Sequence, residues 1–549
     1  MPKLTIDGKE IEVPKGTKII EAAKSLGIDI PFYCYHPGLS ISGNCRMCLV
    51  EVEKTPKLQI ACHTEVQEGM VVRTETPKVR ETRKHILEFL LVNHPVDCPV
   101  CDQAGECWLQ DFYMNYGAYE SRLDENKVKK HKAVSIGPTV MLDSERCILC
   151  SRCVRFLDEV TKTSELGIFN RGDRAEIGLF PGKELNNPYS GNIVDLCPVG
   201  ALTDKDFRFK ARVWYLRGKP SICHGCARGC SIEVQRCEGR PHHGGGDRVM
   251  RIKPRFHPDI NQWWICDEGR YGYKFHDHGR LLKPAVRRDG TREEISWEAM
   301  IREFAGKLRQ AGRKVAVFLS PRLSNEELYL AGQLFGKHLN IFHLLLVSPE
   351  PPKTEDGLLL RADRNPNTLG AAWLGLKTDD AAVKSCFAAC KAGDIQGAVI
   401  FGQDLLTLYN HEPVASALDK LEWTFFAGSN RNPTSEFASH LLPSATYFEK
   451  EGTVTNFQGK VQRFAKVFEP LGEARPEADM LTALARALDF GLRHENVPDL
   501  FLRMVAEVPA FQGLDYEKLG GQATDIRVMA EPVIPSETQA SPLIFHEHK

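Results

Sequence analysis

The chain has 549 residues, 71 Lys+Arg against 72 Asp+Glu for a formal net charge of −1, and 42% hydrophobic residues. The length suits about three or four domains, and the balanced charge removes any global attraction to nucleic acid or an anionic membrane surface. No apolar run approaches the roughly 18 residues of a membrane helix. The opening MPKLTIDGKEIEVPKG has the pattern of neither a secretory signal nor a transit peptide, so a bacterial-type cytoplasmic protein is expected.

The 18 cysteines are concentrated between residues 34 and 266, with Cys386 and Cys390 alone beyond. In a cytoplasmic chain that pattern points to metal binding rather than disulfides.

In chain order, LTIDGKEIEV reads as two short strands around an Asp7-Gly8 turn. Thr17 is expected to cap a helix reaching about Leu26, with Gly27 as its stop. The loop that follows carries Cys34, Cys45 and Cys48, and Cys62 lies further on. The order strand–strand–helix–loop fits a β-grasp ferredoxin, whose long loop and distant fourth cysteine hold a [2Fe–2S] cluster. The alternative, a zinc site, usually shows two close cysteine pairs, and this group has one.

Thr76-Pro77 starts the helix PKVRETRKHILEFLLVN, with an apolar face through Val79, Ile86, Leu87, Leu90 and Leu91. Pro95 forces the helix to end near Asn93 and presents His94 at its exit. Cys98, Cys101 and Cys107 follow. They leave a cubane one ligand short, and His94 is expected to complete a [4Fe–4S] site. The basic run KVKKHK (127–132) reads as a solvated connector rather than a nucleic-acid contact.

Cys147, Cys150, Cys153 and the remote Cys197-Pro198 form the bacterial ferredoxin pattern, and no second triplet competes for Cys197. Cys223, Cys226 and Cys230 begin a further [4Fe–4S] site that Cys237 or Cys266 closes. WWICDEGRYGY looks like a return to the site and favours Cys266. EGRPHHGGGD, after Cys237, reads as a mobile loop. With His94 counted, the cysteines fill four sites of four, leaving Cys237, Cys386 and Cys390.

These motifs, in this order, resemble the large iron–sulfur subunit of NADH:quinone oxidoreductase (respiratory complex I). The resemblance covers about residues 1–275. It implies one [2Fe–2S] and three [4Fe–4S] clusters carrying electrons from an NADH/FMN subunit toward quinone. Electrons would enter at Cys34, Cys45, Cys48 and Cys62, pass to Cys147, Cys150, Cys153 and Cys197, and leave through His94, Cys98, Cys101 and Cys107. The Cys223 set would sit off that path. Arg46, Arg152 and Arg155, beside ligands, would stabilise reduced clusters. Partners would be the flavin subunit and other peripheral-arm subunits at the cytoplasmic face of the inner membrane. No nucleic acid, membrane span or small-molecule substrate of the chain's own is expected.

The back half is similar to a degenerate molybdopterin-oxidoreductase domain. KVAVFLS, GAVIFG and WTFFAG read as buried strands, Ser324 with Glu327 as a capping box, and 441–464 as the segment that lines the pterin in that superfamily. Cys386 and Cys390 lie on an amphipathic helix as buried thiols, so no Mo or W is expected. The fold is α+β modules followed by α/β. The β-grasp domain spans 1–78, the His/Cys₃ module 79–120, the ferredoxin-like module 138–212 and the molybdopterin-type [4Fe–4S] module 216–272. A degenerate α/β domain spans 273–495, with a partly disordered tail at 496–549. No dinucleotide-binding or phosphate-loop glycine motif is present, so NADH and flavin are expected to bind elsewhere. Three alternatives lead to different chemistry: a subunit of a soluble NAD-linked hydrogenase or formate dehydrogenase complex, a molybdenum or tungsten catalytic subunit, and a zinc-stabilised scaffold.

Overall fold

The computed structural model describes residues 1–118, 120–238, 240–348 and 354–519. Strands Lys3–Ile6 and Lys9–Glu12 pair antiparallel across Asp7 and Gly8, both at positive φ. Lys3–Ile6 then pairs in parallel with Met70–Arg73, which continues through Leu49–Val52 to Gln59–Ile60. The helix Ile19–Ser25 buries Ile19, Ile20, Ala22 and Ala23. These elements make the β-grasp. The cap differs from expectation: Lys18, not Thr17, holds the N-cap position, and its amide is met by Glu21 at 2.9 Å. Thr17 is instead buried, and its carbonyl accepts from Val66 N–H.

The helix Pro77–Leu91 starts as expected, with Thr76 Oγ1 accepting from Val79 N–H at 3.3 Å. Its inward face buries Val79, Arg83 and Leu87. Arg83 survives burial by pairing with Glu75 and lying over the Tyr116 ring. The run 127–132 is solvated at Lys129, His131 and Lys132, as expected, but is also tied to its neighbours. Lys127 Nζ donates to Leu91 O and His94 O, and Lys132 Nζ pairs with Asp97 and Glu145. The lysines fasten the His94 turn, because carbonyls left free at a helix end need donors.

The third module joins the sheet Val134–Ser135, Val140–Leu142 and Leu202–Asp204 to the hairpin Leu166–Phe169 and Glu176–Leu179. The fourth is a meander of Leu216–Ile222, Ser231–Cys237 and Val249–Pro254, followed by the short helix Asp267–Tyr271. Pro241–Gly244 forms a 3-10 turn within the run read as a loop.

The back half is a seven-stranded sheet. His440–Pro443, Trp423–Gly428, Gly397–Phe401, Val315–Leu319 and His343–Leu346 run parallel, and the hairpin Ala285–Arg288 with Thr291–Glu294 closes one edge antiparallel. Every residue of Val315–Leu319, Gly397–Phe401 and Trp423–Gly428 is buried. That pattern belongs to a parallel sheet covered on both faces. Ser324 and Glu327 form the expected capping box. Cys386 and Cys390 are buried on the helix Asp380–Ala392. The segment read as a tail begins with a helix, Val497–Glu507, which buries Leu500, Phe501 and Met504. Residues 520–549 of that segment lie outside the described residues.

Candidate iron–sulfur ligand sites

The ligand loops curl their backbone around sulfur. Arg46 (φ 59°), Leu149 (53°), Ser151 (61°), Gly105 (90°) and Gly229 (65°) all take left-handed conformations between ligand positions. Such residues turn neighbouring N–H groups into one concavity, the arrangement that holds anions and iron–sulfur sites. Amides reach the sulfurs accordingly. Tyr33 N–H donates to Cys45 Sγ, Leu149 N–H to Cys147 Sγ and Gly225 N–H to Cys223 Sγ at 3.4 Å each, and Gly269 N–H to Cys266 Sγ at 3.3 Å.

In the first set, Cys34 lies within hydrogen-bonding reach of Cys45 and Cys62, and Cys48 within reach of Cys62. Hydrogen bonds from Cys45 and Cys62 hold the Cys34 thiol below its usual range. In the third set, Cys147, Cys150, Cys153 and Cys197 line one cavity of about 20 Å³, walled otherwise by apolar residues such as Leu142, Val199 and Leu202 and by Ser151 and Arg152. Burial pushes Cys147 up to about 12 and Cys197 up to about 11. These thiols need a positive partner to ionise, which iron supplies on binding. In the fourth set, Cys223, Cys226, Cys230 and Cys266 feel one another's charge. Cys237 packs elsewhere, in a small core with Phe207, Leu216 and Met250.

The second set is looser. Cys101 feels Cys98, and Cys107 feels Cys101. His94 Nδ1 accepts from Val96 N–H at 3.0 Å, and burial lowers its basicity to about 4, so the ring is neutral. Ligation through Nε2 would move the ring proton to Nδ1, and ligation through Nδ1 would displace the Val96 contact. Val96, β-branched, stands at φ 51°. Such a conformation persists only where its surroundings impose it. The turn is held by Asp97, whose carboxylate accepts from Arg146 Nε at 2.9 Å and Nη2 at 2.6 Å. Among the described residues no three His, Cys, Asp or Glu side chains close around a single metal-ion position.

The first three sets share one core. That core contains Cys34, Cys107 and Cys150, with Cys45, Cys147 and Cys197 packed against it. Cys34 acts electrostatically on Cys150, and Cys197 on Cys107. The third set therefore adjoins both the first and the second, and Tyr33 beside Cys34 also packs on Phe112 in the helix that follows Cys107. Sequence reading missed what joins them. A Cβ at Gly200 would stand 2.3 Å from Cys101 Sγ, so the Cys197 loop and the Cys101 loop interlock at a glycine. Trp108 N–H donates to Pro198 O at 3.0 Å. The position of Gly200 just after Cys197-Pro198 was the available sequence signal.

The back half covers the fourth set. Phe457 N–H donates to Ala227 O at 3.0 Å, Gln462 Nε2 to Gly229 O at 2.8 Å, and the His224 ring stacks on Tyr447 at 4.0 Å. The fold and these sites define a multi-module iron–sulfur electron carrier built onto a molybdopterin-oxidoreductase-type layer.

Family models match in the same order. They are a 2Fe-2S iron-sulfur cluster binding domain (2–77), the NADH-ubiquinone oxidoreductase-G iron-sulfur binding region (83–122) and the NADH-quinone oxidoreductase subunit 3 ferredoxin-like domain (137–203). An NADH-ubiquinone oxidoreductase NDSU1/NuoG-like 4Fe-4S domain (227–274) and Molybdopterin oxidoreductase (362–487) follow. The NADH-quinone oxidoreductase G subunit of Rickettsia conorii is 30% identical over 94% of this chain and 92% of its own. The mitochondrial NADH-ubiquinone oxidoreductase 78 kDa subunit of Neurospora crassa is 32% identical over 93% of this chain and 84% of its own. An iron-sulfur protein 1 of NADH dehydrogenase from Solanum tuberosum is 42% identical over 59% of this chain and 43% of its own. The chain belongs to the family of these large NADH-quinone oxidoreductase subunits and is an iron–sulfur electron-transfer subunit of that complex. No helix among the described residues is long and apolar enough to cross a membrane.

Proposed function

We propose that the chain holds four clusters: a [2Fe–2S] on Cys34, Cys45, Cys48 and Cys62, and [4Fe–4S] clusters on His94, Cys98, Cys101 and Cys107, on Cys147, Cys150, Cys153 and Cys197, and on Cys223, Cys226, Cys230 and Cys266. Clusters bound there exchange single electrons at potentials set by ligand type, burial and hydrogen bonds to sulfur. The observation that carries the reading is the shared core in which Cys34 faces Cys150 and Cys197 faces Cys107. It supports a path ordered first set, third set, second set. The first set then meets a flavin subunit, the second meets subunits nearer a membrane's cytoplasmic face, and the fourth stands aside under the back half. The module limits proposed are 1–78, 79–120, 138–212, 216–272 and 273–495.

The chain's own part is to exclude water from the thiols, aim amides at sulfur and fix the order of the sites. Quantitative iron and sulfide on anaerobically isolated protein is the test, and the ligand sets require about 14 irons with no Mo or W. Roughly 10 irons would remove one cubane from the reading, and stoichiometric zinc with little iron would overturn it. His94→Cys should keep the second cluster at a lowered potential while His94→Ala weakens or loses it. Unchanged redox behaviour in both would remove His94 from the ligand set.

A further inference from the structure

Arg152 is 2% exposed, and its guanidinium meets no carboxylate at ion-pair distance among the described residues. Its polar contacts are main-chain carbonyls. Nη1 donates to Leu196 O at 3.0 Å and Nη2 to Tyr35 O at 2.5 Å. Leu196 precedes Cys197, and Tyr35 follows Cys34. The guanidinium also lies 4.6 Å from the centroid of Trp108, which follows Cys107, and 5.7 Å from that of Phe32. Arg152 itself sits between Cys150 and Cys153. One side chain therefore touches a residue adjoining a ligand of each of the first three sets.

A buried cation without a counter-charge costs several kcal/mol even after relaxation. Carbonyl dipoles and an aromatic face offset part of that cost. The negative charges that act on Arg152 most strongly are those of Cys150, Cys197 and Cys45, from the third and first sets. Arg155 strengthens the junction from the next turn, donating to the carbonyls of Cys34 and Ser40.

We propose that Arg152 is a positioning residue shared by three ligand sets, a single fixed charge that raises the electron affinity of all three sites together. The proposal rests on the ligand sets given above. Each transfer moves one electron from donor site to acceptor site. No bond forms or breaks, and the guanidinium keeps its proton throughout. Because the charge stays between the sites, its field favours an electron on any of them and changes the differences between neighbours less than the absolute potentials.

The test uses the assembled complex carrying Arg152→Gln or Arg152→Lys, with iron content and reductive titration followed by electron paramagnetic resonance. In Arg152→Gln the first and third sites should become harder to reduce together, the third most and the second least, by up to about tenfold in the one-electron equilibrium, or 59 mV. Arg152→Lys should stay close to the parent. The fourth site should move less than any of these three. A Gln variant with full iron and unmoved potentials overturns the proposal. So does a shift confined to the third site, or equal shifts in Gln and Lys. Loss of iron from the three sites in Gln but not Lys supports it, since charge separates the two variants, and loss in both overturns it. Iron in the unmutated complex short of what the four ligand sets require would instead overturn the ligand assignment.

Discussion

Two buried cations, one in each half, are treated in opposite ways. In the back half, Lys450 is 6% exposed and lies between two carboxylates, Glu327 at 2.7 and 2.9 Å and Glu477 at 2.5 Å. In the front half, Arg152 is buried more deeply with carbonyl oxygens and rings around it. Protein interiors tolerate a charge when its compensation is built in. Lys450 draws that compensation from nearby carboxylates, as the front half's own Arg83 does from Glu75, while Arg152 leaves it to the ligand thiolates. The difference separates a charge site complete in amino acids from one whose electrostatics are complete once the ligand sets around it are filled.

Removing iron is the strongest way to break the comparison. Chelation should open the first three modules to protease and broaden their melting, whereas the sheet around Val315–Leu319 keeps a separate cooperative transition. A back half that loosens equally would contradict the division. Next in size is Lys450→Met. It leaves Glu327 and Glu477 facing each other without a cation, at about 3–5 kcal/mol by denaturant titration. The front-half resonance signals should not move.

Glu326 sharpens the comparison through pH. Its carboxyl accepts from Thr453 N–H at 2.9 Å and Thr453 Oγ1 at 2.7 Å, and burial pushes it up to about 7 from 4.5. The folded chain thus keeps a proton that the unfolded chain releases. Stability contributed by this group falls as pH rises from 4.5 to about 7 and is level above, by about 3 kcal/mol at 1.36 kcal/mol per pH unit. Comparing denaturation midpoints near pH 5 and 7.5 should reveal a slope that Glu326→Gln reduces, the remainder coming from groups such as Glu477, which burial also pushes up to about 7. A slope equal in both proteins would assign it to other groups.

The smallest effect is expected from Gly200→Ala. The added methyl meets Cys101 Sγ at 2.3 Å, an overpacking worth about 1–3 kcal/mol. Iron analysis and spectra should find the second site disturbed before the first. An unaltered second-site signal would show that the loop gives way without consequence.

The sequence made the cysteine groups legible because ligands of one loop lie two to ten residues apart, and such spacing survives without knowledge of the fold. The β-grasp turn at Asp7-Gly8, the Thr76 cap and the three buried strands of the back half were legible for the same reason: each follows from neighbours along the chain. Contacts across the fold were not. Arg152 reaches a carbonyl 117 positions away, and Lys127 reaches back 36 to Leu91. A lysine-rich run reads as solvent-facing until the carbonyls at a helix end are seen to lack donors. Thr17 looked like a cap because its type suits one, yet Lys18 gains more from Glu21 three residues on. The separation of Cys237, drawn into the Phe207 core, from Cys266, on which the charges of Cys223 and Cys226 act, likewise depends on contacts across the fold.

The cover over the fourth set also has a consequence in time. Asn456 and Gln462 bond to Arg228 and Gly229, which precede them by 228 and 233 positions. At about 5–20 residues per second, a ribosome needs on the order of ten seconds or more to add the segment that closes over this loop. During that interval the site is exposed while most of the earlier ligand loops can already pack together. A cluster on the proposed fourth set would have that window for loading before the hairpin of Gly452–Thr455 and Val461–Phe464 arrives.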